Sequence, residues 1–307
     1  MSQITMDNVK ILRERTGSGM IDCRKALEAC DGDVENAIDW LRKKGFASAA
    51  KKSGRLAAEG LICVAVQDTH GALIEVNAET DFVARSELFQ TYVSNVAKIA
   101  CETKCDIATI GGCTYPKTGC TVNDELSNLI AVIGENMNLR RVAHVDVSVG
   151  VVAVYVHNKI ADNLGKIGVL VGLESSGDPS NLLKLGHMIA MHIVATNPLS
   201  VTVDGLDAAL LERERSVAIE QTRNMGKPEA FVDKIVEGRM RKFYEEVVLL
   251  EQIFVMNDKI RIKDLLETTS IELGAPITIT GFEKFVLGEG IEKQAVDFAA
   301  EVAAQLT

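Results

Sequence analysis

The sequence predicts an α+β protein, and three observations predict it. Residues 1–46 carry three short stretches of helical periodicity with no strand pattern among them. Residues 57–203 twice run through strand, turn, strand, loop and helix, so the body reads as a duplicated antiparallel-sheet core. Residues 204–247 break that pattern with charge-dense segments that have thin apolar seams, the mark of an inserted antiparallel helical hairpin of coiled-coil type.

The first helix runs from Met6 to Arg15 with Met6, Val9 and Leu12 on one side, and Gly17 and Gly19 end it. Met20, Cys23, Ala26, Leu27 and Cys30 space the second. Asp33 caps the third, Ile38 and Leu41 line its inner face, and Lys43 and Lys44 complement its C-terminal dipole before Gly45. Residues 47–56 are small and basic and read as a partly helical linker.

In the first copy of the repeat (57–148), Leu61 to Val66 is a strand, residues 68–71 a turn, and Ala72 to Val76 the returning strand. Phe89, Val93, Val96, Ala97 and Ala100 then recur at helical spacing, as do Leu126, Leu129, Ile130 and Ile133. The second copy (149–203 and 248–287) has strands at Val149 to His157 and Ile167 to Leu173 and a helix over Leu182 to Val194. After the hairpin, strand character is expected at Ile253 to Met256, a helix over Ile262 to Leu273, and an edge strand over Ile277 to Leu287. Residues 288–307 close the chain as a C-terminal helix with a small-residue face.

Composition bounds the function. The chain has 307 residues, 47% hydrophobic and 25% charged, which suits two or three soluble domains. Its net charge of -10 opposes a long nucleic-acid footprint. Residues 1–56 are nonetheless net basic, with 11 Lys and Arg against 8 Asp and Glu, so a basic head sits on an acidic body. No apolar run approaches the roughly 20 residues of a membrane span, and the N-terminus lacks the pattern of a secretory signal. The expectation is a cytoplasmic protein. Seven irregularly spaced cysteines fit a reducing compartment. Cys101, Cys105, Cys113 and Cys120 cluster in sequence, but zinc sites favour tighter pairs, and small buried cysteines are common.

Catalytic and nucleotide motifs are missing. Neither G-x-x-x-x-G-K-[ST] nor G-x-G-x-x-G occurs. His187 and His192 are five apart and do not share a helix face as metalloprotease histidines do. Ser48 to Lys51 and Lys117 to Gly119 imitate a serine acyl-transfer set without its linking element.

What stands out is Asn77-Ala78-Glu79-Thr80-Asp81-Phe82-Val83-Ala84-Arg85, which leaves a strand and enters a helix. A surface connection is an unusual place for a phenylalanine, which either tucks back or reaches a partner. The nonapeptide resembles the signature of the elongation factor Ts family, the nucleotide exchange factors of the translational GTPase elongation factor Tu. Four further blocks match in family order: Leu12 to Met20, Ile133 to Arg141, Val236 to Met240 and Gly288 to Lys293.

The resemblance implies a three-helix module of the ubiquitin-associated type at residues 1–46. It implies no enzyme, no cofactor and no metal ligand in this chain. It places Phe82 as an apolar wedge in the GTPase near its nucleotide-bound Mg2+, with Asp81 competing for the groups that organise that metal and Thr80 and Val83 completing the loop. It also suggests partner contacts from Leu12, Ile133 and His157 and from the C-terminal helix, in a one-to-one complex or a pair of heterodimers. The competing reading is an adaptor that works through its ubiquitin-associated-type module. That explains residues 1–46 but leaves the nonapeptide and the duplicated core without a role.

Overall fold

The computed structural model describes residues 4–116, 118–225 and 229–292. It begins with three helices, α1 (Met6–Thr16), α2 (Met20–Ala29) and α3 (Val34–Lys52). Thr5 and Asp33 cap α1 and α3 by accepting from the amides of Asn8 and Asn36 at 3.2 and 3.0 Å. Val9, Leu12, Cys23, Ala26, Leu27, Ala37 and Leu41 make the small core they share.

One element differs here from the sequence-based expectation. α3 does not stop at Gly45 but runs on to Lys52, across much of the expected linker. A mid-helix glycine costs about 1 kcal/mol relative to alanine, which is too little to stop a helix held by packing. Gly45 is buried where α3 lies across a later helix, and a Cβ on it would stand in ordinary contact with the Asn128 side chain and the Ser127 carbonyl at 3.5 Å.

The body follows in chain order as β1 (Glu59–Gln67), β2 (His70–Ala78), α4 (Glu87–Thr103), α5 (Val122–Ile133), β3 (Met137–Asp146), β4 (Gly150–His157), β5 (Leu164–Gly165), β6 (Ile167–Glu174), α6 (Pro179–Thr196), α7 (Ala208–Asn224), α8 (Glu229–Val247), α9 (Ile262–Leu273) and β7 (Thr278–Val286). All sheet pairings are antiparallel. One sheet has the order β3-β2-β1-β5 and the other β4-β6-β7.

The repeat goes further than the sequence pattern suggests. In each half a hairpin is followed by helices and then by a third strand that returns to pair with the hairpin's second strand. Both returning pairs slip register, at Glu75/Val76 in the first half and Gly172/Leu173 in the second. The strand that completes the first copy, β3, has no counterpart in the sequence-based reading. Its alternation is interrupted by that bulge and by Arg140-Arg141. Ile253 to Met256 is not a strand: Ile253 makes a single bridge to Arg261, and only Phe254 of the four is buried. The final edge strand and the helix over Ile262–Leu273 form as their periodicity predicts. The expected C-terminal helix at Ala295 to Ala303, and the hairpin tip Gly226-Lys227-Pro228, lie outside the described residues.

Successive strand residues point to opposite faces. Leu61, Cys63, Ala72, Ile74 and Val76 therefore pack under α4 and α5, while Val169, Val171 and Leu173 pack under α6 and α9. The alternate set, Ile62, Val64, Leu73, Val145, Val152, Val156, Leu170 and Phe285, joins the two sheets face to face. β5 stitches the same interface, since Leu164 and Gly165 reach out of the second half to pair with Cys63 and Ile62 of β1.

Gly168 sits where the two sheets approach closely. A Cβ there would lie 2.7 Å from both Ile62 Cγ2 and Leu73 Cδ1. Gly168→Ala is therefore expected to cost about 1–3 kcal/mol through overpacking. A lowered midpoint in thermal unfolding checks this, and an unchanged midpoint would mean the sheets part freely.

Candidate functional site

β2 carries its chain to a loop, residues 79–86, that is held at both ends. At the start, Glu79 Oε1 accepts from the Asn136 amide at 2.5 Å and from Arg55 Nη1 at 3.4 Å. The Glu135 carboxylate answers by accepting from Thr80 N at 3.0 Å and Thr80 Oγ1 at 2.7 Å. Two loop residues are thus tied to the turn that follows α5. At the far end Val83 and Ala84 are buried in the first-half core, and Gln90 Nε2 donates to the Ala84 carbonyl at 2.9 Å.

Between these anchors stand Asp81 and Phe82, both exposed, the ring to 78%. Leaving a phenylalanine in water forgoes about 1.5–3 kcal/mol of burial. The ring has not simply lost its way into the core, because Val83, the next residue, is inside it.

Below the loop, β2 contains a wholly buried carboxylate. Glu75 accepts from Arg140 Nη1 at 3.1 and 3.2 Å, Arg141 Nε at 2.5 Å, Asn77 Nδ2 at 2.9 Å and the Gly288 amide at 2.9 Å. Burial pushes its pKa up, but the Gly288 amide, the Asn77 amide and the Arg141 guanidinium together outweigh that and hold it below the ordinary value. The two arginines also donate to the carbonyls of Glu289 and Val286, and Arg141 stacks over Phe285 at 4.2 Å. β2, β3 and the chain beyond β7 therefore meet at one charge.

The four loop residues expected at the site occupy three different environments. Phe82 and Asp81 face solvent, Thr80 is half-buried on Glu135, and Val83 anchors the loop from the core. Ile133, half-buried, ends α5 just before the turn that supplies Glu135. Leu12 is wholly enclosed by the N-terminal helices, so it shapes that module and offers no surface of its own. His157 is exposed at the end of β4 with its Nδ1 3.0 Å from Tyr155 Oη.

Glu135, Asn136, Arg55 and Glu75 were not singled out by sequence. Glu135 and Asn136 lie inside the matching block Ile133 to Arg141, and Glu75 leaves a signal as a charge within a mostly apolar strand.

Chemically the site is quiet. Among the described residues no group of three or more His, Cys, Asp or Glu side chains could hold a metal ion. His192 is buried on Gln252 Oε1 at 2.9 Å, and burial lowers its pKa, which is a structural role. Among the described residues no helix is long and apolar enough to cross a membrane.

Fold and loop together define a class: an α+β protein with a duplicated antiparallel-sheet core that presents one ring and one carboxylate on a surface loop fixed at both ends. Comparison with known proteins makes the class particular. Residues 79–289 match the family model described as Elongation factor TS. The chain is 54% identical over 303 residues to elongation factor Ts of Rhodospirillum centenum, covering 99% of both chains. It is 55% identical over 307 residues to that of Rhodospirillum rubrum, covering 100% of this chain and 99% of the other. With Parvibaculum lavamentivorans elongation factor Ts the identity is 54% over 304 residues, again 99% of each. The chain belongs to the elongation factor Ts family, a family of translation elongation factors.

Two outcomes follow from the anchors. Removing one partner of a buried charge cluster typically costs 3–5 kcal/mol, and because both arginines keep some solvent, Glu75→Ala should cost about 3 kcal/mol. Glu75's folded pKa is lowered, so its stabilisation is complete above the unfolded carboxyl value of about 4.3 and is lost as pH falls through the folded value. Melting temperatures across acid pH should show wild type converging on Glu75→Ala. Glu135→Ala removes a charged acceptor worth about 1.5 kcal/mol or more. Hydrogen exchange at the Thr80 amide should then speed about tenfold, while exchange in β2 stays unchanged.

Proposed function

We propose that this chain is the nucleotide exchange factor of elongation factor Tu and that the loop around Phe82 performs the exchange step. The observation that carries the reading is the 78% exposed ring on a loop anchored at Glu79, Thr80 and Val83. Phe82 enters the GTPase as an apolar wedge, and burying it there recovers the free energy it forgoes in the free chain. Asp81 competes for the charge and hydrogen bonds that organise the partner's Mg2+ site. GDP then leaves and GTP can bind.

Linkage sets the rest. If the exchange factor weakens nucleotide binding by some factor, nucleotide weakens the exchange factor equally. GTP therefore expels the factor by the same coupling that let GDP leave. In this exchange step the chain makes and breaks no covalent bond, binds no nucleotide and needs no cofactor. It acts in the cytoplasm, with Ile133, the surface around Leu12, His157 and the C-terminal residues as secondary contacts, in a one-to-one complex or a pair of heterodimers.

The test is stopped-flow release of fluorescent GDP from the matching elongation factor Tu. At saturating concentration Phe82→Ala should slow release about 10- to 100-fold, the kinetic equivalent of about 1.5–3 kcal/mol. Its melting temperature should match wild type because the ring is exposed. Equal acceleration by wild type and Phe82→Ala would remove the wedge, and tight binding without acceleration would put an adaptor in its place.

A further inference from the structure

Two of the seven cysteines face each other. Cys105 follows Lys104, whose left-handed backbone (φ 54°) ends α4, and Cys113 follows the short turn Ile110–Gly112. Their Sγ atoms are 3.3 Å apart and both residues are half-buried, within reach of a small reagent.

The residues between them are already folded into a compact turn. Thr109 donates its amide and hydroxyl to Asp106 Oδ1 at 3.0 and 2.6 Å, and the Cys113 amide donates to the Ile110 carbonyl at 3.0 Å. The Cys105 carbonyl is held in turn by His144 Nε2 at 2.9 Å. A disulfide needs its sulfurs about 2.05 Å apart, so the gap to close is about 1.3 Å. Cys23, Cys63, Cys101 and Cys120 are buried, which sets them apart from this pair.

We propose that Cys105 and Cys113 form a reversible thiol–disulfide site whose oxidant is a low-molecular-weight disulfide. The Cys105 thiolate attacks one sulfur of the small disulfide. The sulfur–sulfur bond breaks, one small thiolate leaves, and a mixed disulfide forms on Cys105. Cys113, on losing its proton, attacks Cys105 Sγ and expels the second small thiolate. Two cysteine thiols have then been oxidised to one protein disulfide, and one small disulfide has been reduced to two thiols that carry the two cysteine protons.

The pair is chemically asymmetric in the sense this order requires. Hydrogen bonds from Thr103 and then Cys113 hold the Cys105 thiol below its ordinary pKa, while burial and the neighbouring Cys105 push Cys113 up. The first is the better attacking thiolate and the second is protected until a mixed disulfide sits beside it. The bond would tie the end of α4 to the turn that leads into α5.

The experiment uses the full reduced chain, oxidised glutathione as the probe, quenching with an alkylating agent and peptide mapping by mass spectrometry. Wild type should yield a cross-linked peptide pair joining Cys105 to Cys113, lighter by two hydrogens and restored by dithiothreitol. Cys113→Ser should accumulate glutathione on Cys105, and Cys105→Ser should lower modification of Cys113 at least tenfold. The wild-type map needs no variant to fold. Alkylation of both residues at the untreated rate, or glutathione confined to Cys30, would overturn the proposal.

Discussion

The buried carboxylate of Glu75 is the constraint on which the rest of the body depends. Taking a carboxylate out of water costs several kcal/mol, and the cost is tolerable only when its lone pairs are filled with good geometry. A regular strand could not fill them, because Arg140 and Arg141 are neighbours and would point to opposite faces. The register slip between Glu75 and Val76 leaves Arg140 as the extra residue, and both guanidinium groups then reach the same carboxylate. The second half has its slip beside Gly172, where the facing sheet would meet any side chain. One irregularity, inherited twice, serves a charge cluster in one half and a close sheet contact in the other.

The loops that follow the two central strands diverge for a related reason. After β6 the connection is residues 175–178, and it ends by capping α6: Asp178 accepts from the Asn181 amide at 3.0 Å and Pro179 opens the helix. After β2 the connection is residues 79–86, and Ser86 at the corresponding N-cap makes no side-chain capping bond. This loop is held at its other end instead, where Thr80 donates to Glu135 and Glu79 accepts from the Asn136 amide. A loop ordered before it meets a partner would lose less conformational freedom on binding, which supports the role proposed for Phe82.

Much of the fold was legible because its signals are local. Hairpins, helical seams and the second-half strands follow from periodicities within a dozen residues, and Phe82 is conspicuous because a ring in a polar connection breaks a local rule. What was not legible depends on contacts far apart in sequence. Gly45 looks like a helix stop until Asn128 is seen beside it. β3 is hidden by two arginines whose partner is Glu75. Ile253 to Met256 has strand composition but only one bridging partner, and composition cannot supply a second. Glu135 lies in a matching block, but nothing local says that its task is to hold Thr80, 55 residues away.

The same long-range contacts explain why a three-helix module belongs on this scaffold at all. Its core is small and a domain of this size is only marginally stable alone. By lying across α5 through Gly45, α3 gains a second surface and braces the helix in return. α5 ends at Gly134 in a left-handed conformation (φ 91°), which turns the chain so that Glu135 and Asn136 meet Thr80 and Glu79. Arg55, just past α3, closes the circuit by donating its side chain to Glu79 while its carbonyl accepts from Asn136 Nδ2 at 2.7 Å. The module therefore does not need to touch Phe82 to govern it. Loosening α3 from α5 would relax the Glu135 anchor on Thr80, and with it the support of the loop that carries the exposed Phe82 ring.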